Sequence, residues 1–233
     1  MTRNPIIAAL DVPTATQALE IAQAIAPHVG MFKVGGELFT RCGPSIVASI
    51  VELGRPVFLD LKFHDIPNTV RKSVGNAVAL GVQMLTVHTS GGSAMLAAAA
   101  EAARGKTLVL GVTVLTSLDD NALRQVGVNG SVTGQVERLA QLAVQSGLQG
   151  LVCSPLEIQP LRRLVPGSTQ LVTPGIRPSG APRTDDQART LSAREAMRAG
   201  ANWIVVGRPI YAAPDPAAAA EKLEQEVSME GGA

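Results

Sequence analysis

The 233-residue chain alternates, from one end to the other, short apolar β-branched runs with longer amphipathic segments, and no Pro/Gly/Ser linker is long enough to divide it. This alternation constrains the fold more than any other feature, because parallel strands need a crossover segment between them, usually a helix. The runs that read as strands are Ile6 to Val12, Met31 to Gly35, Pro56 to Lys62, Met84 to His88, Leu108 to Leu115, Gly150 to Ser154, Gln170 to Gly175 and Trp203 to Gly207, eight in all. Helical patterns lie between them at Thr14 to Pro27, Ser45 to Leu53, Thr69 to Leu80, Ser93 to Ala103, Val132 to Ser146, Pro155 to Leu164, Ser192 to Ala199 and Pro216 to Val227. In the first, Ala18, Ile21, Ala22 and Ile25 recur at helical spacing behind a Thr cap. Gly54, Gly81, Gly147 and Gly200 follow four of these segments, where a left-handed residue closes a helix. The pattern predicts an α/β protein, a (β/α)8 TIM barrel with residues 1–233 as a single domain, ahead of a doubly wound open sheet. A hydrophobic content of 46% is ample for such a core.

A barrel of this kind builds its site where strands end and the following loops begin. The sequence meets that demand at Asp60-Leu61-Lys62-Phe63-His64-Asp65-Ile66-Pro67-Asn68-Thr69, where an apolar run closes in a burst of charge. Alternate residues of a strand share a face, so Asp60 and Lys62 are expected side by side. Asp65 follows in the turn, and Pro67 starts the next helix. A lone Asp-x-Lys could equally be a structural ion pair. Further strands that end in polar groups favour a working cluster: Asp11 lies near the end of the first, Lys33 within the second and His88 at the end of the fourth. Thr116 and Ser117 follow the fifth, Arg177 the seventh and Arg208 the eighth. The N-terminal edge is far poorer in such groups.

Two loops stand out. The Pro/Gly-rich connection from Thr173 to Gln187 is long for this fold and reads as a lid or binding loop, or as a tolerated surface insertion. In Val205-Val206-Gly207-Arg208-Pro209-Ile210, Gly207 permits close backbone approach and Arg208 offers a planar fork of donors to an anion such as phosphate, if it is not simply solvated.

Other classes are disfavoured. Twenty basic and nineteen acidic residues give a net charge of +1, with no basic cluster interleaved with aromatics, so neither nucleic acid nor an anionic membrane is an expected partner. The two cysteines, Cys42 and Cys153, lack metal-ligand spacing and read as small buried hydrophobes in a reducing compartment. His28, His64 and His88 are scattered and read as local hydrogen-bonding groups, so no metal is expected. The N-terminal apolar run, Ile6 to Leu10, is too short for a signal sequence or a membrane span, and a cytoplasmic location is expected. Phe39 and Met84 read as core, and Ala217 to Ala220 as plain helix before a Gly-rich end.

At this point the chain resembles the orotidine 5′-phosphate decarboxylase family. Asp60 to Thr69 fits the family's D-x-K-x-x-D-I-P-N-T signature without a gap, and the resemblance extends to Leu10-Asp11-Val12, Phe32-Lys33-Val34-Gly35 and Val87-His88-Thr89-Ser90-Gly91-Gly92. It continues through Val114-Leu115-Thr116-Ser117, Thr173-Pro174-Gly175-Ile176-Arg177-Pro178 and Val206-Gly207-Arg208-Pro209, so it covers nearly the whole chain in order. The resemblance implies a homodimeric barrel that converts orotidine 5′-monophosphate to UMP without metal or organic cofactor. It implies Lys62 as proton donor to C6, Asp60 beside the departing carboxylate, and Lys33 bridging Asp60 and the ribose. Asp65 and Thr69 are implied to enter the other subunit's site. Asp11 corresponds to a ribose-binding residue, Thr116 with Ser117 to contacts with the pyrimidine edge, and Arg177, Gln187, Gly207 and Arg208 to nucleotide-binding positions, Gln187 and Arg208 directed at phosphate. In one respect the chain departs from the pattern: Arg177 and Gln187 are one residue further apart than in the family's bacterial members. The rival readings are a Mg²⁺-dependent sugar-phosphate decarboxylase or aldolase of the same barrel group, and a noncatalytic phosphate-ligand-binding barrel. The continuation Ile66-Pro67-Asn68-Thr69 disfavours the first, and the presence of both lysines and both aspartates disfavours the second.

Overall fold

A computed structural model describes residues 4–177 and 190–228. Eight parallel strands close into a barrel in sequence order. They are β1 (Ile6–Ala9), β2 (Met31–Gly35), β3 (Val57–Phe63), β4 (Met84–His88), β5 (Leu108–Val112), β6 (Gly150–Val152), β7 (Gln170–Thr173) and β8 (Trp203–Val206). β1 pairs with both β2 and β8, through Ile7 opposite Met31 and Ile7 opposite Val205, which completes the circle. The expected (β/α)8 barrel is the fold of this chain.

Around the strands run α1 (Ala15–Ile25), α2 (Gly36–Cys42), α3 (Ser45–Val51), α4 (Pro67–Ala79), α5 (Ser93–Ala103), α6 (Asp120–Gln125), α7 (Val132–Gln145), α8 (Ile158–Leu164), α9 (Ala193–Arg198), α10 (Arg208–Tyr211) and α11 (Pro216–Ser228). In α1 the Thr14 side chain accepts a hydrogen bond from the Gln17 amide at 3.2 Å, and Ala18, Ile21, Ala22 and Ile25 form the buried face. Pro67 occupies the first turn of α4, where its missing N–H costs nothing. The glycines at 54, 81, 147 and 200 all have positive φ, as chain reversal after a helix requires. No helix among the described residues is long and apolar enough to cross a membrane.

Several boundaries differ from the sequence reading. The runs expected to reach Val12, Leu115, Ser154 and Gly175 leave the sheet at Ala9, Val112, Val152 and Thr173. The apolar residues just beyond these ends, Val12, Val114 and Cys153, are buried, so hydrophobicity runs past the ends of the strands. The helices α2, α6 and α10 were not anticipated, because each is short and sits within what reads as a loop.

Two layers of core follow from strand alternation. Ile7, Ala9, Met31, Phe58, Met84, Leu110, Val172, Trp203 and Val205 fill the barrel interior. Their neighbours, such as Ile6, Ala8, Phe32, Leu59, Leu85 and Ile204, face outward against the helices.

Candidate active site

The interior plug turns into the site by one step of strand alternation. Two residues beyond Ala9, Met31, Phe58 and Val205 come Asp11, Lys33, Asp60 and Gly207, and all four line a cavity of about 500 Å³ at the C-terminal mouth of the barrel. A volume of that order suits a ligand of nucleotide size. Lys62, Thr116, Arg177 and Arg208 complete the polar part of the wall, while Phe58, Val112, Val114, Leu115, Val152, Cys153 and Val205 are among its apolar members.

The charges form a chain. Lys33 Nζ lies 2.9 Å from Asp11 Oδ1 and 3.6 Å from Asp60 Oδ2, and Lys62 Nζ lies 2.8 Å from Asp60 Oδ1. Gly35 makes room for this arrangement, since a Cβ there would sit 3.0 Å from Lys33 Nζ and 3.1 Å from Asp11 Oδ1. Burial by itself would raise the Asp60 carboxyl, but Lys33 and Lys62 outweigh it and hold Asp60 below its ordinary 3.8. Burial likewise opposes the Lys33 charge, and Asp60 and Asp11 overcome it, lifting Lys33 above 10.5. Both groups therefore stay charged across the neutral range. The Cys153 thiol, buried without an anion-stabilising neighbour of comparable effect, is pushed up to about 12 and stays a neutral thiol, 3.7 Å from the Thr173 hydroxyl.

The strand carrying Asp60 and Lys62 is not regular. Four residue steps on β3, from Leu59 to Phe63, stand opposite two on β4, from Leu85 to Val87. The extra residues bulge, and Lys62 has a φ of 49°, left-handed for a residue with a side chain. Thr86 is the β4 residue facing this bulge. Its Oγ accepts from the Lys62 amide at 2.9 Å and donates to Asp60 Oδ1 at 3.0 Å. Asp60 and Lys62 are thus adjacent as expected, although through a bulge rather than ordinary alternation.

Of the residues singled out in the sequence, Asp11, Lys33, Asp60, Lys62, Thr116, Arg177, Gly207 and Arg208 come together in the cavity wall. Ser117 lies on the exposed rim one residue past Thr116. Asp65 and Thr69 are exposed and outside this wall, and the Asp65 carboxylate accepts the Ile66 amide at 2.6 Å. Gln187 lies outside the described residues. Two contributors escaped the sequence reading. Thr86 was signalled by a polar residue on the inner face of an apolar strand, Met84-Thr86-His88. Tyr211 lines the cavity one helical turn beyond Gly207, its ring edge 3.4 Å from where a Gly207 Cβ would be.

Known proteins resemble this chain over nearly its full length. The model of a family described as Orotidine 5'-phosphate decarboxylase / HUMPS matches residues 4–223. A protein of Anaeromyxobacter sp. (strain K), named orotidine 5'-phosphate decarboxylase, is 53% identical over 218 residues, covering 94% of this chain and 96% of its own. One of the same name from Opitutus terrae is 49% identical over 225 residues, covering 95% and 97%. Among solved structures, orotidine 5'-phosphate decarboxylase from Lactobacillus acidophilus superposes with a TM-score of 0.85 at 37% identity, over 96% of this chain and 99% of that one.

Proposed function

Because this chain belongs to the Orotidine 5'-phosphate decarboxylase / HUMPS family, we infer that it decarboxylates orotidine 5′-monophosphate to UMP and carbon dioxide, the last step of de novo pyrimidine nucleotide synthesis. The observation that carries the reading is Asp60 held between Lys33 and Lys62 in the wall of a nucleotide-sized cavity. The relatives bearing the decarboxylase name favour it over the rival sugar-phosphate reading.

In this reading the pyrimidine ring lies against the apolar wall with C6 towards Lys62. The C6–carboxylate bond breaks, its electron pair remains on C6, and Lys62 delivers a proton there as carbon dioxide departs. A fixed ammonium is worth most where negative charge develops in a water-poor site. Asp60 disfavours the bound carboxylate more than the neutral product it becomes, and Lys33 holds Asp60 while reaching Asp11 and the ribose. Asp11 binds ribose hydroxyls, and Thr116 with Ser117 the pyrimidine edge. Gly207 and Arg208, at the start of α10, take the phosphate together with Arg177 and Gln187. Protein charges supply the chemistry, without metal or organic cofactor.

The chain works as one decarboxylase domain and as a homodimer in which Asp65 and Thr69 complete the partner's site. The exposure of both residues, with Ile66 between them 67% exposed, leaves this turn open to a second copy. The unpaired Cys42 and Cys153 support a reducing, cytoplasmic setting.

The test is loss of orotidine 5′-monophosphate absorbance with EDTA-treated protein, beside Lys62→Ala. We expect rapid turnover by the native chain, a fall of at least about 10³-fold in the variant, and retained affinity for a product-like nucleotide. Undiminished turnover by Lys62→Ala, or turnover only of a sugar phosphate with Mg²⁺, would overturn the assignment.

A further inference from the structure

We propose that Thr86 is a positioning residue for the reaction, a hydroxyl bridge that holds the Lys62 backbone and the Asp60 carboxylate in one fixed relation. The inference rests on the decarboxylase reading of the same cavity. The bonding leaves the hydroxyl no choice of direction. An amide N–H can only donate and an ionised carboxylate can only accept, so the Lys62 amide at 2.9 Å takes the oxygen and Asp60 Oδ1 at 3.0 Å takes the proton. The side chain is 0% exposed, so water does not substitute for either bond.

The bridge stands where the backbone most needs it. In a regular parallel ladder the Lys62 amide would find a main-chain carbonyl, but the register break between Leu59 and Phe63 makes Thr86 its acceptor. A left-handed φ is strained for a residue with a side chain, and it persists only when its surroundings over-determine it. Thr86 is part of that determination. The same Asp60 oxygen also accepts from Lys62 Nζ at 2.8 Å, so backbone amide, threonine hydroxyl, carboxylate and ammonium form one closed loop of hydrogen bonds. Removing the hydroxyl takes one donor from Asp60, leaving it to the two ammonium groups alone, and leaves the Lys62 amide without its acceptor. Both changes move the ammonium relative to the bound ring, and displacements of about 1 Å can cost 10²-fold.

The experiment compares Thr86→Val, which keeps the shape and removes both bonds, with Thr86→Ser, which keeps both bonds and removes a methyl group. With the native chain active and Lys62→Ala inactive in parallel, Thr86→Val is expected to lower kcat about 10- to 100-fold with KM for orotidine 5′-monophosphate within about threefold. Thr86→Ser is expected to stay within about threefold of the native kcat. The acid limb of the kcat profile should move to higher pH in Thr86→Val, since Asp60 loses a donor to its ionised form. A native kcat in Thr86→Val, a loss confined to KM, or a Thr86→Ser variant of native thermal stability that is as impaired as Thr86→Val would each overturn the proposal. Those outcomes would leave the decarboxylase reading standing, because the native and Lys62→Ala controls test it separately.

Discussion

One ammonium at 4 Å is worth about 4 kcal/mol to a carboxylate under an effective dielectric of 20, which is comparable with the several kcal/mol lost when the carboxylate leaves water. A single lysine would therefore roughly break even. Asp60 has two, with Thr86 as a further donor, and that surplus keeps it ionised at a side-chain exposure of 13%. His88, at the top of β4, goes the other way. Burial first, then His64 with its ring 5.4 Å away and the Lys62 charge, lower His88 below its ordinary 6.5, with Asp60 opposing. The folded imidazole resists a proton that the unfolded chain accepts, so unfolding takes up a proton in this range. Its stabilising contribution is full above pH 6.5 and is lost as pH falls towards the folded value. We expect His88→Asn to remove that part of the pH dependence, measured as urea midpoints between about pH 7.5 and pH 5. Midpoint curves that run parallel would refute it.

At the scale of elements, one of the tightest backbone approaches lies at the end of the barrel away from the cavity. Gly30 precedes β2 and its amide donates to the Ile6 carbonyl at 2.9 Å. A Cβ on Gly30 would lie 2.1 Å from the Asn4 main-chain oxygen and 3.5 Å from the Trp203 ring. The obstacle is backbone, which cannot swing aside, so Gly30→Ala should cost about 1–3 kcal/mol, read as a lower urea midpoint. Turnover at saturating substrate should be unchanged, because this end of the barrel carries stability rather than chemistry. An unchanged midpoint would mean that the start of β2 is looser than its contacts imply. Strand ends were the hardest feature to read from the sequence. Val114 and Cys153 are as apolar as true strand residues, yet they lie past the strand ends and serve the cavity wall. Hydrophobicity records burial, and burial does not distinguish a ladder from a lining.

At the scale of the molecule, one chain leaves part of its signature unused. Asp65 and Thr69 belong to the same ten-residue stretch as Asp60 and Lys62, but they are exposed and lie outside the cavity wall those two line. If they complete a second copy's site, mixing inactive Asp60→Ala and Asp65→Ala chains should regenerate about a quarter of native activity after free exchange, from the one intact site in each mixed dimer. No recovery in confirmed mixed dimers would confine Asp65 to its own barrel. The amino-acid sequence alone specifies the barrel, because the strand and helix repeats are local, and eight of each in alternation leave few ways to bury their apolar faces. It also determined the wall residues Asp11, Lys33, Asp60 and Gly207, since strand alternation carries the inward face from plug to mouth. The bulge, the left-handed Lys62 and the Thr86 bridge come from the folded barrel. Each depends on the register between two strands whose bonded residues are 24 and 26 positions apart, and that register is set by closure of the whole barrel rather than by any local run of residues.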